Sequence, residues 1–142
     1  MQRPNETVIR QLIETAMKQR AFSYAPYSGF RVGAALLAKN GTVYTGCNIE
    51  NAAYSPTNCA ERTAFFKAVS EGVRAFEGIC VVGGKDEILT AYAAPCGVCR
   101  QVMMEFCDPE KFWIILATDP EHYEIVSLKE HLPMGFGPAD LA

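Results

Sequence analysis

Positive charge is the first thing this chain is short of. Its 142 residues carry 13 Lys and Arg against 16 Asp and Glu, a net charge of −3, with a pI near 5.4. The basic residues are scattered and form no run, whereas a protein that grips a nucleic-acid backbone shows a basic footprint. A nucleic-acid partner is therefore not expected. Long apolar stretches are also missing; none approaches the roughly 20 residues needed to cross a bilayer, so no membrane partner is expected. The opening MQRPNETVIRQLIE turns polar and acidic within a few residues, unlike a secretory leader. Repeats, low-complexity tracts and linkers are absent too. What remains is 49% hydrophobic and 20% charged, the profile of a globular chain long enough to bury a real core. One domain over 1–142 and a cytoplasmic location are the expectation.

The hydrophobic pattern alternates between helical and extended periods. Residues 5–20 carry Val8, Ile9, Leu12, Ile13 and Ala16 on one helical stripe. After a loop punctuated by Pro26 and Gly29, RVGAALLA (31–38) reads as a buried strand. Asn40-Gly41 is a hairpin signal, which returns TVYTG (42–46) antiparallel. Residues 47–58 have no clean period and read as a loop over the sheet. CAERTAFFKAVSE (59–71) reads as a helix with Asn58 as N-cap and Gly72 as its stop. GICVVGG (78–84) is a strand. Pro95 is placed to open a helix over CGVCRQVMMEF. FWIILAT (112–118) and YEIVS (123–127) form a strand pair, SLKEHL a short helix, and the tail is irregular. Helices interleaved with strands predict one mixed sheet covered on both faces, an α/β fold.

Six cysteines, Cys47, Cys59, Cys80, Cys96, Cys99 and Cys107, stand out. Three disulfides are arithmetically open, but without a sign of export the reduced cytosol favours metal or thiol readings. Cys96 and Cys99 are spaced so that both sulfurs can face one metal, and Cys59 begins a second predicted helix. Three thiolates on Zn²⁺ leave a net charge of −1. Two helix N-termini, each worth about half a positive charge, oppose that excess, and Arg62 can donate to a sulfur. Three protein ligands leave one position open for water, as catalytic zinc requires. Glu61, two residues after Cys59, is close enough to such a centre to move protons without being needed as a ligand. Other readings of Cys96-x-x-Cys99 stay open at this level: a redox dithiol, or half of a closed, non-catalytic zinc module. The closed module needs a fourth ligand. Cys80 lies in an apolar run and Cys107 at least two turns from Cys99, while Cys47 is not eliminated.

The chain resembles the small, homotetrameric cytidine deaminases with three cysteine ligands. The likeness covers nearly its whole length: YSGFRVGAAL (27–36), GCNIENAAYS (46–55), CAERTA (59–64), PCGVCRQV (95–102), and an LP-x-x-F element from Leu132 to Phe136. The metal motif is shared by many deaminases; NIENAAY is far more selective. The resemblance implies a three-layer α/β/α cytidine-deaminase-like fold with a mixed five-stranded sheet and one zinc per subunit. It implies Cys59, Cys96 and Cys99 as ligands, Glu61 as the proton shuttle and Arg62 as support for the sulfurs. Asn48 and Glu50 are implied to bind the ribose, Phe30 to pack on the pyrimidine, and the Ala60 amide to face the base carbonyl. Tyr54 and Phe136 are implied to complete the pocket of a neighbouring subunit. Ala94 departs from the family, which commonly has Ser there; that puts a hydroxyl contact to the leaving amine in doubt. The implied reaction is hydrolytic deamination of free cytidine and 2′-deoxycytidine in pyrimidine salvage. A related aminohydrolase for another aminopyrimidine nucleoside, such as a blasticidin-type antibiotic, is the alternative, against which Asn48 and Glu50 argue.

Overall fold

A computed structural model describes all 142 residues. Helix α1 spans Glu6–Gln19, and Asn5 caps it, its side chain accepting from Val8 N at 2.9 Å. Strands β1 (Arg31–Ala38) and β2 (Val43–Cys47) form the Asn40-Gly41 hairpin. Helix α2 (Ala60–Ser70), strand β3 (Phe76–Gly84) and helix α3 (Gly97–Phe106) follow. Strands β4 (Trp113–Asp119) and β5 (His122–Ser127) form a second hairpin, and helix α4 (Leu128–His131) carries a full capping box from Ser127 and Glu130. The tail is not wholly irregular: Pro138–Leu141 closes in a 3-10 turn. The sheet runs β2-β1-β3-β4-β5, antiparallel except for the β3/β4 pair, so the expected mixed five-stranded sheet is present. Helix α3 is the crossover that the parallel pair requires.

Strand side chains alternate between two faces, and the buried residues divide accordingly. Ala34, Leu36, Ile79, Val81, Ile114 and Leu116 pack with Ala64, Phe65 and Ala68 of α2 and with Met103 of α3. Ala35, Cys80, Val82, Trp113 and Ile115 pack instead with Ile9, Leu12, Ile13 and Ala16 of α1. Three layers result, with α1 on one face and α2 and α3 on the other. Burying an aromatic such as Phe65, 1% exposed, contributes about 2–3 kcal/mol by area.

Two glycines set how closely the layers approach. A methyl on Gly33 would strike the Ala16 carbonyl of α1; one on Gly46 would strike the Ala60 carbonyl and stand 2.7 Å from the Ala64 nitrogen of α2. The N-terminal turn of α2 therefore rests directly on β2. Arg20, 9% exposed, fixes the ends of β1 and β3. Its Nε donates to the Arg31 carbonyl at 2.9 Å and its Nη2 to the Gly84 and Asp86 carbonyls at 2.8 Å each. Backbone carbonyls satisfy a guanidinium that would otherwise be costly to bury.

Two helix starts differ from the sequence reading. Cys59, not Asn58, is the N-cap of α2, and Cys96 is the N-cap of α3, with Pro95 one residue outside the helix. Neither cysteine side chain makes a capping hydrogen bond. Asn58 Nδ2 instead donates to Thr63 Oγ1 at 3.2 Å. The shift leaves each sulfur at a helix mouth, free of the backbone amides.

Candidate metal centre and adjoining cavity

The first turns of α2 and α3 bring Cys59, Cys96 and Cys99 together, all three sulfurs lying within 4.8 Å of one another. Cys59 and Cys96 sulfurs are 3.7 Å apart, Cys96 and Cys99 sulfurs 3.5 Å. Tetrahedral zinc with Zn–S near 2.3 Å places its sulfurs about 3.8 Å apart, so the spacing fits that ion. All six cysteines are free thiols. Cys47, Cys80 and Cys107 lie outside the cluster, which removes the fourth ligand a closed zinc module needs. Cys80 is fully buried in the α1 side of the core and Cys107 packs against the other.

The electrostatics of the cluster also call for a cation. The Cys59 thiol is pulled down to about 5, first by its hydrogen bond with Cys99 and then, against its burial, by Arg62. Arg62 Nη2 donates to the Cys59 sulfur at 3.3 Å. The same pairing, with burial, drives Cys99 up. One thiolate is stabilised by Arg62; further thiolates need a bound positive ion.

Glu61 is 4% exposed in the first turn of α2. Burial pushes its carboxyl up to about 7, and the neighbouring Cys59 charge adds to the rise. A carboxyl poised near neutrality is suited to both taking and giving a proton.

A cavity of about 450 Å³ opens beside the sulfurs. Its lining joins Cys59, Ala60, Glu61 and Cys96 with Ala93 and Ala94 and with Phe30, Val32, Asn48 and Glu50. No Lys or Arg lines it. The volume falls in the range of small-molecule sites. Tyr54 and Phe136 do not line it; they are 73% and 57% exposed on the surface of this chain. Tyr54 holds a left-handed backbone, φ 61°, and its ring meets Tyr27 edge-on at 6.4 Å.

Asn48 and Glu50 have partners the sequence did not disclose. Asn48 Oδ1 accepts from Val32 N at 2.9 Å while its Nδ2 donates to the Phe30 carbonyl at 2.7 Å. That clasp sets the backbone on both sides of Arg31 and so aims Phe30. The Glu50 carboxylate accepts from the amides of Tyr27 and Ser28 at 2.9 and 3.1 Å and from the Ser28 hydroxyl. The Ser28 hydroxyl first, against desolvation, and then the Ser28 and Tyr27 amides hold Glu50 below the usual carboxylate range. Ser28, Thr57 and Asn58 are cavity residues the sequence reading missed. Ser28 alone had a local signal: it precedes Gly29, at φ 68°, and its Oγ accepts from Phe30 N at 2.9 Å.

Residues 6–115 match the family model described as the cytidine and deoxycytidylate deaminase zinc-binding region. A cytidine deaminase of Sporosarcina psychrophila is 49% identical over 136 residues, 94% of this chain and 95% of that one. Another, from Halalkalibacterium halodurans, is 46% identical over 132 residues, 93% and 96% of the two chains. The crystal structure of a cytidine deaminase from Burkholderia pseudomallei superposes with a TM-score of 0.81 at 44% identity, covering 89% of this chain and 97% of that one. An open cluster of three sulfurs beside a buried carboxyl, on this sheet order, defines the class of zinc-dependent deaminases. Within that class, the chain belongs to the cytidine deaminase family.

Proposed function

We propose that the cavity takes free cytidine and 2′-deoxycytidine and converts them to uridine and 2′-deoxyuridine with release of ammonia. The observation that carries this reading is the placement of Glu61: buried, beside three clustered sulfurs, in the lining of a cavity that Asn48 and Glu50 also line. Zinc held by Cys59, Cys96 and Cys99 supplies, when bound, a water acidic enough to act as nucleophile near neutral pH. Glu61 would carry one proton of the attacking water to N3 of the ring, making C4 electrophilic as the water oxygen bonds to it, and would then carry the remaining proton to the amine, which leaves as ammonia when the C4–N bond breaks. Its raised affinity for protons suits both transfers, and its burial keeps competing water away. Arg62 holds the Cys59 sulfur.

Phe30 is assigned to the face of the pyrimidine, and the Ala60 amide to the base carbonyl. Ala94 offers no hydroxyl to the amine, so a backbone carbonyl of the 93–95 wall takes that role. Asn48 and Glu50 are assigned to the sugar hydroxyls, for which a carboxylate held anionic by Ser28 is a strong acceptor. The absence of Lys and Arg from the lining and the net charge of −3 favour a free nucleoside over a polymer, which needs a basic channel. The exposure of Tyr54 and Phe136 supports their assignment to a neighbouring subunit's pocket in a homotetramer. No helix is long and apolar enough to cross a membrane; a cytoplasmic enzyme formed by one domain over 1–142 is the matching proposal.

Zinc analysis of the purified protein combined with an ultraviolet assay on cytidine, 2′-deoxycytidine and a cytosine-containing oligonucleotide tests the reading. One zinc per chain and turnover of both nucleosides are expected. Turnover of the oligonucleotide but not of free cytidine would overturn it. Gel filtration of a stable, active monomer would overturn the shared pocket.

A further inference from the structure

Cys99, Arg100 and Gln101 are successive residues of α3, and successive helical side chains point about 100° apart. Cys99, 1% exposed, faces the metal cluster. Arg100 and Gln101 turn away from it, and both reach backbone carbonyls rather than side chains. Arg100 Nε donates to the Pro95 carbonyl at 2.8 Å, directly before the ligand Cys96. Its Nη1 donates to the His131 carbonyl at 2.8 Å, at the end of α4. Gln101 Nε2 donates to the carbonyl of Phe136 itself, also at 2.8 Å.

The segment so gripped, from His131 to Gly137, has few other anchors. Met134 is fully exposed and sits at φ 56°, a left-handed conformation that strains a non-glycine residue. Gly137 lies on Met104 of α3; a methyl there would stand 3.0 Å from its Cε.

We propose that Arg100 and Gln101 are positioning residues that set the metal helix and the Phe136 strap in one register. Arg100 holds the approach to Cys96 and the start of the strap with a single guanidinium. Gln101 holds the strap at the residue assigned to substrate. Neither touches a reacting atom; they fix the distance between the site's own cysteines and the aromatic that this chain offers to a neighbour. The inference rests on the role assigned to Phe136 above, and the experiment separates the two.

Steady-state kinetics on cytidine are compared for the wild-type holoenzyme, Phe136→Ala, Gln101→Glu and the double variant, with zinc content and melting temperature measured for each. Glutamate keeps the shape of Gln101 but cannot donate to a carbonyl. Gln101→Glu should raise KM roughly three- to tenfold, the range set by one lost hydrogen bond, with kcat and zinc content unchanged. In the double variant it should add nothing to the effect of Phe136→Ala. A wild-type KM for Gln101→Glu beside a raised KM for Phe136→Ala, or additive effects in the double variant, would overturn the inference and leave the Phe136 assignment standing. A wild-type KM for Phe136→Ala would overturn both. For the other brace, Arg100→Gln should release zinc to a chelator several times faster than wild type, because Cys96 loses its fixed approach. An unchanged release rate would overturn the part given to Arg100.

Discussion

Two groups of residues around the cavity, those beside the sulfurs (its metal end) and those on the connecting segments (its rim), are built by different means. At the metal end, Cys59, Glu61, Cys96 and Cys99 sit on the first turns of two helices that pack on the sheet, and Glu61 and Cys99 belong to the buried interior. At the rim, Phe30, Asn48 and Glu50 sit on connecting segments, where Asn48 holds the Val32 amide and the Phe30 carbonyl and Glu50 holds the amides of Tyr27 and Ser28; Tyr54 and Phe136, outside this lining, also sit on connecting segments. Around the sulfurs the lining leans on the core, whereas at the rim it leans on hydrogen bonds between segments distant in sequence. On the roles proposed above, chemistry and recognition should respond to mutation separately: changes at the metal end should appear in kcat and zinc content, changes at the rim in KM.

The largest effect should come from Cys96→Ala, which leaves two thiolates and should abolish zinc retention and turnover together, measured by metal analysis and assay. Glu61→Gln comes next. It should keep zinc and lose about 10³-fold or more in kcat, within the scale of general acid–base catalysis; a Gln variant with wild-type kcat would break the division proposed here. Glu50→Gln should leave kcat and zinc nearly intact and raise KM for cytidine about ten- to a hundredfold, since it removes a charged hydrogen-bond acceptor. Gly46→Ala probes whether the metal end depends on packing. The collision with the Ala60 carbonyl should cost about 1–3 kcal/mol of stability, read by thermal unfolding, and lower kcat by displacing the turn that carries Glu61.

The smallest expected effect is a pH dependence. Burial, and then the Arg100 charge, hold His131 below its ordinary value of 6.5. The unfolded chain therefore binds this proton more readily than the folded one. Stability should be fully present above about pH 6.5 and decline as pH falls through the folded-state value. In His131→Gln the decline of melting temperature with falling pH should be shallower over that window.

Much of the metal end was legible in the sequence because its signals are local. A cysteine at a helix start, a second pair three residues apart and a carboxylate two residues on are all short-range patterns. The helix starts were misjudged by one residue: Asn58 and Pro95 follow local preferences, but the Asn58 side chain donates to Thr63 and both helices begin after a cysteine. Strand β3 begins two residues early, at Phe76, because a bulge between Leu37 and Ala38 extends its pairing. The rim was legible only through resemblance. Asn48 clasps a segment 16 residues away and Glu50 one 22 residues away, and no periodicity reports a contact of that kind. Arg20 is the same case: its guanidinium is satisfied by the carbonyls of Arg31, Gly84 and Asp86, contacts that no local pattern reports.

The position of the three sulfurs also has a consequence for folding. Cys59 starts α2, which packs on the β1/β2 hairpin, whereas Cys96 and Cys99 open the crossover between β3 and β4. The sulfurs of Cys59 and Cys96 are neighbours across 37 positions of chain. An ion held by all three closes that loop. On the scale used for covalent cross-links, closing a loop of this length removes unfolded-state entropy worth on the order of 4 kcal/mol. Such an ion would staple two parts of the chain that lie far apart in sequence, and its loss should loosen the architecture as well as the chemistry.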